Sequence, residues 1–147
     1  MSVFSRFARS ARGNVAVMFG LAMVPVVGAV GAAIDYSRVV EVRSELADAL
    51  DGGVLAVGSK AALSDAQALA MVKQWVDIHM AGVDATWTVD SITQDASGKI
   101  TGTASAKVRT TIARVLGIAE VPVGVTSQVV RSLGRSASPS SSTTPDR

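Results

Sequence analysis

The chain has 147 residues, a formal net charge of +2, one histidine and no cysteine. The lack of cysteine excludes disulfides and thiol nucleophiles, and a single histidine excludes a histidine-rich metal site within one chain. Beyond residue 34 the chain carries eleven basic and twelve acidic side chains, so it lacks the positive charge that nucleic-acid binding requires, and we predict no nucleic-acid partner.

A basic leader, residues 1–13, precedes an uncharged run of 21 residues, 14–34, in which only the terminal Asn14 is polar. As a helix this run would measure roughly 31 Å, which matches the hydrocarbon core of a bilayer. A core helix of a soluble domain is one alternative, but it would show a polar stripe. A secretory signal cleaved at Gly31-Ala32-Ala33 is the other, although such signals have a shorter apolar core of about 7 to 15 residues. We predict a transmembrane helix over residues 14–34.

The flanking charges predict the orientation of this span. Arg6, Arg9 and Arg12 precede it, and cytoplasmic ends of spans are enriched in basic residues. The N-terminus is therefore expected inside and the rest of the chain outside. Asp35 follows the span directly, and we interpret it as the first solvated residue. The alternative is a buried ion-pair partner at the membrane edge.

Small residues within the span favour contacts with other helices. Gly28 and Ala32 lie four positions apart, a spacing that allows close backbone approach in lipid. Ordinary tolerance of small residues in membrane spans explains the pair equally well.

Past the membrane the helical pattern continues as an amphipathic stalk, with an apolar stripe that includes Val39, Val42 and Leu46. We predict that this stripe packs against other helices. Gly52-Gly53 marks a weak point or the end of the helix, because glycine costs about 1 kcal/mol relative to alanine in a helix.

A second helix is predicted from Ser64 to about Met80. Ser64 and Gln67 have the spacing of a capping box, in which each residue satisfies a backbone donor of the other. One apolar face includes Val72 and Val76. A second apolar face around Trp75 predicts that the helix lies between other elements, with a subunit contact as the alternative.

From residue 86 the apolar period changes from 3.6 to 2, which predicts strands. Residues 86–93 and 100–109 should form a hairpin around a turn at residues 95–98, with a bulge or early strand end at Ile92. A short helical stretch over residues 111–116 ends at Gly117. A third strand around residues 121–129 contains Pro122, which favours a sheet edge.

The predicted fold class is therefore α+β: a transmembrane helix that continues as a stalk, a second helix, and a three-stranded antiparallel sheet packed on the helices. The exported part covers residues 35–133. Residues 134–147 have almost no apolar side chain and are predicted to be disordered. Within the sheet we expect Trp87, Ala104 and Ala106 to be buried and Val123 to face inward, with Lys107 and Arg109 exposed.

The segment RGNVAVMFGLAMVPVVGAVGAAIDYSRVVEVRSELADAL resembles the N-terminal part of the TadE/TadG-like proteins of tight-adherence (Flp-type) pilus assembly. The later segment TTIARVLGIAEVPVGVTSQVV is similar to the closing helix and strand of that family. The resemblance implies a pilin-like or pseudopilin-like protein of the bacterial inner membrane that takes part in pilus-based cell adhesion. The implied partners are the lipid bilayer and other pilus-assembly proteins or pseudopilins.

The same resemblance implies processing by a prepilin peptidase, which cuts after a glycine. Gly13 stands at that place, so cleavage would leave Asn14 as the new N-terminus. Many processed relatives have a glutamate five residues beyond the cut, where this chain has Met18. That glutamate is the group proposed to register a subunit against the new amino terminus of its neighbour.

Two functions of different classes follow. The first is a structural or minor pseudopilin-like subunit that acts through helix packing. The second is a single-pass anchored periplasmic binding or chaperone module that does not polymerise. We predict no catalytic residue, no cofactor and no metal site: His79 flanks an apolar helix face, and Asp84, Asp90 and Asp95 lack metal-loop spacing. A soluble periplasmic enzyme with a signal sequence is the remaining alternative.

Overall fold

The computed structural model describes residues 11–60 and 63–131, with side chains from residue 15 onward except that of residue 116. Most of the predicted leader and the predicted disordered tail lie outside the described residues. The elements in chain order are α1 (Ala11–Gly58), α2 (Asp65–His79), β1 (Ala85–Gln94), β2 (Lys99–Arg109), a short 3-10 turn (Ala113–Leu116) and β3 (Glu120–Val130). The α+β fold class is confirmed.

Helix α1 is one continuous helix of 48 residues, and it passes through Pro25 and through the two adjacent glycines. The alternative that the helix ends at Gly52-Gly53 is wrong. A Cβ atom at Gly52 would lie 2.7 Å from Nε1 of Trp75, and one at Gly53 would lie 3.1 Å from Cγ1 of Val72. These glycines therefore allow α2 to pack closely against α1, and the packing offsets their low helix propensity.

The predicted capping box begins α2. The backbone N–H of Gln67 donates to Oγ of Ser64 at 3.3 Å, and the backbone N–H of Ser64 donates to Oε1 of Gln67 at 3.1 Å. One face of α2 buries Val72 and Val76 against the core. Ile78 on the second apolar face is exposed, so the prediction that other elements cover both faces is wrong.

The sheet is antiparallel with strand order β1-β2-β3, which places β3 and its Pro122 at an edge as predicted. The register of β1 on β2 shifts between Val89 and Ser91, which confirms an irregularity next to Ile92. Alternate residues of β2 face α1, and the approach at Gly102 is close: a Cβ atom there would lie 2.7 Å from Cγ2 of Val54.

The core lies between α1, α2 and the inner face of the sheet. Its largest fully buried side chains are Leu46, Leu50, Met80, Ile100, Val54, Val57, Val72 and Val76. Ala104 and Ala106 are buried, and Lys107 and Arg109 are exposed, as predicted. Trp87 and Val123 face inward but are only half-buried, and Nε1 of Trp87 donates to Asp77 at 2.9 Å.

Candidate functional site: the exposed span and its junction with the folded domain

The first half of α1 presents apolar side chains to its surroundings on every side. Leu21 is 75% exposed and Val24 is 70% exposed, and no face of residues 15–30 is buried by the rest of the chain. Within the part of the chain that the structure describes, α1 is the one helix that is long and apolar enough to cross a membrane. An exposed surface of this kind requires lipid or other apolar helices around it.

The small residues of the span differ in what surrounds them. No atom lies within 4 Å of the position that a Cβ would take at Gly28, and Ala32 is exposed. Gly31 is instead buried, because Ile112 packs against it and a Cβ there would lie 2.7 Å from Cβ of Ile112. Gly28 and Ala32 therefore leave space for a neighbouring helix, whereas Ile112 of the same chain fills the space beside Gly31.

Val39, Val42 and Leu46 lie on the other half of α1, and the structure changes their interpretation. Leu46 is fully buried and Val42 is nearly so, both in the core of the chain's own domain. Val39 is half-buried and packs against that core. Val42 and Leu46 therefore pack within the chain's own domain, and Val39 packs against the same core with part of its surface exposed.

Asp35 is not a solvated residue, contrary to the prediction. Its side chain is only 5% exposed, and its two carboxylate oxygens accept three backbone hydrogen bonds. The donors are the amides of Thr111 at 2.9 Å, Ile112 at 2.9 Å and Ala113 at 2.7 Å. The alternative of an ion pair is also not what is observed, since the partners are amides and not a basic side chain.

These hydrogen bonds explain the electrostatics of Asp35. The amide of Ala113, followed by that of Thr111, stabilises the carboxylate and lowers the pKa of Asp35 below its ordinary value of 3.8. Nearby, Nη1 of Arg38 donates to Oγ1 of Thr111 at 3.2 Å. The negative charge of Asp35, at the end of the apolar run, is thus stabilised by amides of the segment that connects β2 to β3.

No local sequence signal predicts this junction. Asp35 and its partners are separated by 76 to 78 positions along the chain. The short stretch 111–116 is predicted as helical, but nothing in it indicates that its amides face an acidic residue at the end of the span. The junction is found only when the sheet is folded back along α1.

A shallow groove of about 460 Å³ lies between α1, the end of α2 and β2. His79 contributes to it, but its Nδ1–H donates to the carbonyl of Trp75 at 2.8 Å, and the two rings stack at 4.6 Å. Glu41, Glu45 and Asp84 also line the groove. Among the described residues there is no group of three or more His, Cys, Asp or Glu side chains that could hold a metal ion.

The predicted topogenic and processing residues lie at the start of the chain. Arg6 and Arg9 are outside the described residues. Arg12, Gly13 and Asn14 belong to the first turns of α1. Orientation and cleavage therefore remain predictions.

Residues 13–70 match the Tad family, a TadE/G-like Flp pilus-assembly domain. The match covers α1 from Gly13 onward and the beginning of α2, and it does not extend to the later segment that resembles the family's closing strand. No curated protein and no solved structure gives a significant match to the chain. Over residues 13–70 the chain is thus similar to a Tad-type TadE/G-like domain, and the resemblance seen in its N-terminal sequence is confirmed there.

Proposed function

We propose that this protein is a pseudopilin-like structural subunit of a Tad-type pilus-assembly system. The Tad domain supports a role in pilus assembly, and the exposed apolar half of α1 supports anchoring in a membrane. The arginines of the leader place the N-terminus in the cytoplasm, and the folded domain then lies in the periplasm. The chain acts by associating with other helices and has no enzymatic role.

The observation that carries the proposal is the contrast between the span and the stalk. The apolar stripe of the stalk packs against the core of the chain's own domain, where Leu46 is fully buried. Association with other pilus-assembly proteins is therefore left to the span, where Gly28 and Ala32 give a neighbouring helix space to approach. A prepilin peptidase would release Asn14 as the N-terminus by cutting after Gly13.

An anchored binding or chaperone module that does not polymerise is the second candidate. Met18 favours it, because many processed relatives have a glutamate at this place, the group proposed to set subunit register. Both candidates place the protein in the membrane. They differ in whether the span has a specific helix partner.

The test compares two substitutions by leucine on opposite faces of the span. Gly28→Leu fills the space left by the missing side chain, and Val30→Leu adds one methylene group about 200° around the helix. We expect Gly28→Leu to reduce copurification with other pilus-assembly proteins from membranes several-fold and Val30→Leu to leave it unchanged. Both variants should insert in the membrane normally.

Two further results bear on the proposal. Equal copurification of Gly28→Leu and the unchanged protein would contradict association through this face and favour the anchored module. His79→Ala should leave copurification and pilus formation unchanged, because the ring stacks on Trp75 and binds only a backbone carbonyl. The intact mass of the mature protein measures cleavage after Gly13 directly.

A further inference from the structure

The segment that connects β2 to β3 lies against the membrane end of α1. Its amides hold Asp35, and Ile112 packs on Gly31, a residue inside the apolar run. Gly31 precedes Asp35 by one helical turn, or about 6 Å along the axis. Ile112 therefore packs on the helix within the apolar run, about one turn before Asp35.

The segment is closed at its base by its own hydrogen bonds. The amide of Thr110 donates to the carbonyl of Ala119 at 3.1 Å, and the hydroxyl of Thr110 donates to the carbonyl of Ile118. Gly117 ends the 3-10 turn with a φ of 87°, a conformation that favours glycine. The segment is thus a loop with a defined backbone conformation.

Three of the exposed side chains in this loop are large and apolar. Val115 is 85% exposed and Ile118 is 51% exposed, and Ile112 is also partly exposed beside the span. Residues 111–118 contain no acidic residue, and their one charged side chain is Arg114. An exposed apolar loop with a single basic residue would be unfavourable in water at the end of a folded domain.

We propose that residues 111–118 are a second membrane-contacting element, which lies in the interfacial region of the bilayer at the Ile34 end of the span. The occupant is lipid because the apolar surface of the loop is continuous with the lipid-facing surface of α1 through the contact between Ile112 and Gly31. Arg114 can extend to headgroup phosphates, as basic side chains do at this depth. Exposed Tyr36 has the aromatic character typical of the same region.

Two attachments have a mechanical consequence. A span alone leaves the domain free to rotate about the helix axis and to tilt with it. A loop in the interface on one side of the span fixes both, so that the same side of the domain always faces the bilayer. The inference rests on membrane anchoring in the proposed function, and the experiment separates the two.

The test uses the absence of cysteine from the chain, which permits single-cysteine labelling without further changes. Val115→Cys and Ile118→Cys are labelled with an environment-sensitive fluorophore and reconstituted as the full chain in phosphatidylethanolamine–phosphatidylglycerol vesicles. Val24→Cys is the reference inside the span. Val130→Cys is the matched control, because Val130 is 67% exposed but belongs to the end of β3 that lies beside the far end of α1.

We expect the labels at 115 and 118 to behave like the label at 24: a blue-shifted emission, and a several-fold higher ratio of quenching by a doxyl-labelled lipid to quenching by iodide than the label at 130. Labels at 115 and 118 that iodide quenches as strongly as the label at 130 would overturn the proposal. Protection from both quenchers would also overturn it, because protein and not lipid would then cover the loop. If the label at 24 is not quenched by the lipid, membrane anchoring itself fails.

Discussion

The two halves of α1 are equally helical and have opposite surroundings. Between residues 15 and 34 the apolar side chains are exposed, with Leu21 at 75%. Between residues 42 and 57 the apolar side chains of the stripe are buried, with Leu46 at 0%. The first half of this helix therefore requires apolar surroundings, whereas the second half contributes side chains to the core of the domain.

What separates the halves is the arrangement of apolar residues and not their presence. The first half is apolar all round, which is typical of a membrane span, whereas the second carries its apolar residues at helical spacing opposite acidic residues such as Glu41 and Glu45. Asp35 lies at the boundary between the two halves. The three amide hydrogen bonds that its carboxylate accepts connect this boundary to the segment between β2 and β3.

The largest expected difference is between the same substitution, leucine to alanine, made in each half of α1. Leu46→Ala removes a fully buried side chain and should lower the free energy of unfolding by about 2–5 kcal/mol, because a cavity is left in the core. Leu21→Ala should change it by less than about 0.5 kcal/mol, since this side chain contacts no part of the domain. Thermal unfolding of the full chain in micelles, followed by near-UV circular dichroism, measures both.

The comparison between the halves fails if Leu21→Ala destabilises the domain as strongly as Leu46→Ala. Leu55→Ala is a further control, because Leu55 lies in the second half but is exposed on its polar side. Its effect should be close to that of Leu21→Ala.

A second, smaller effect tests how closely the sheet lies on the buried half. Gly102→Ala places a Cβ 2.7 Å from Val54 and 2.9 Å from Ile92, so the core must shift and we expect a loss of about 1–3 kcal/mol. Gly124→Ala changes the neighbouring strand at a position with no atom within 4 Å. It should be neutral or slightly stabilising, because alanine restricts the unfolded chain. Equal melting of both variants would contradict the packing of β2 on α1.

Local patterns in the sequence predicted much of this fold. The capping box gives the start of α2, and the alternation in residues 100–109 gives β2. In residues 86–93 the alternation breaks at Ile92, which gives the irregularity in β1. The uncharged run gives a helix that can span a membrane. In each case the physical cause lies within a few neighbouring residues.

Features that depend on distant residues were not predicted. The apolar stripe through Val42 and Leu46 indicates a buried face, but it does not show whether the chain's own sheet or another subunit covers it. Gly52 and Gly53 have low helix propensity, and their role is apparent only when α2 is placed against them. The partners of Asp35 lie more than 70 positions away, so the residue next to a span was interpreted as solvated.

The smallest effect concerns Asp35, where the two halves meet. Because its pKa is lowered in the folded protein, the carboxylate stabilises the junction above the ordinary pKa of 3.8, and this contribution is lost as the pH falls through the lower, folded value. The amide proton shifts of Thr111, Ile112 and Ala113 in micelles should therefore be constant near neutral pH and move below pH 3.8. Asp35→Asn should displace these shifts at neutral pH and abolish their dependence on pH, with less effect on global unfolding than the core variants.

Asp95 also has a lowered pKa, through Ser97 and Lys99, but it lies in the turn between β1 and β2. Asp95→Asn should leave the pH dependence of the three amide shifts intact. If Asp95→Asn abolishes that pH dependence, or if Asp35→Asn leaves the three shifts unchanged, Asp35 does not hold the loop.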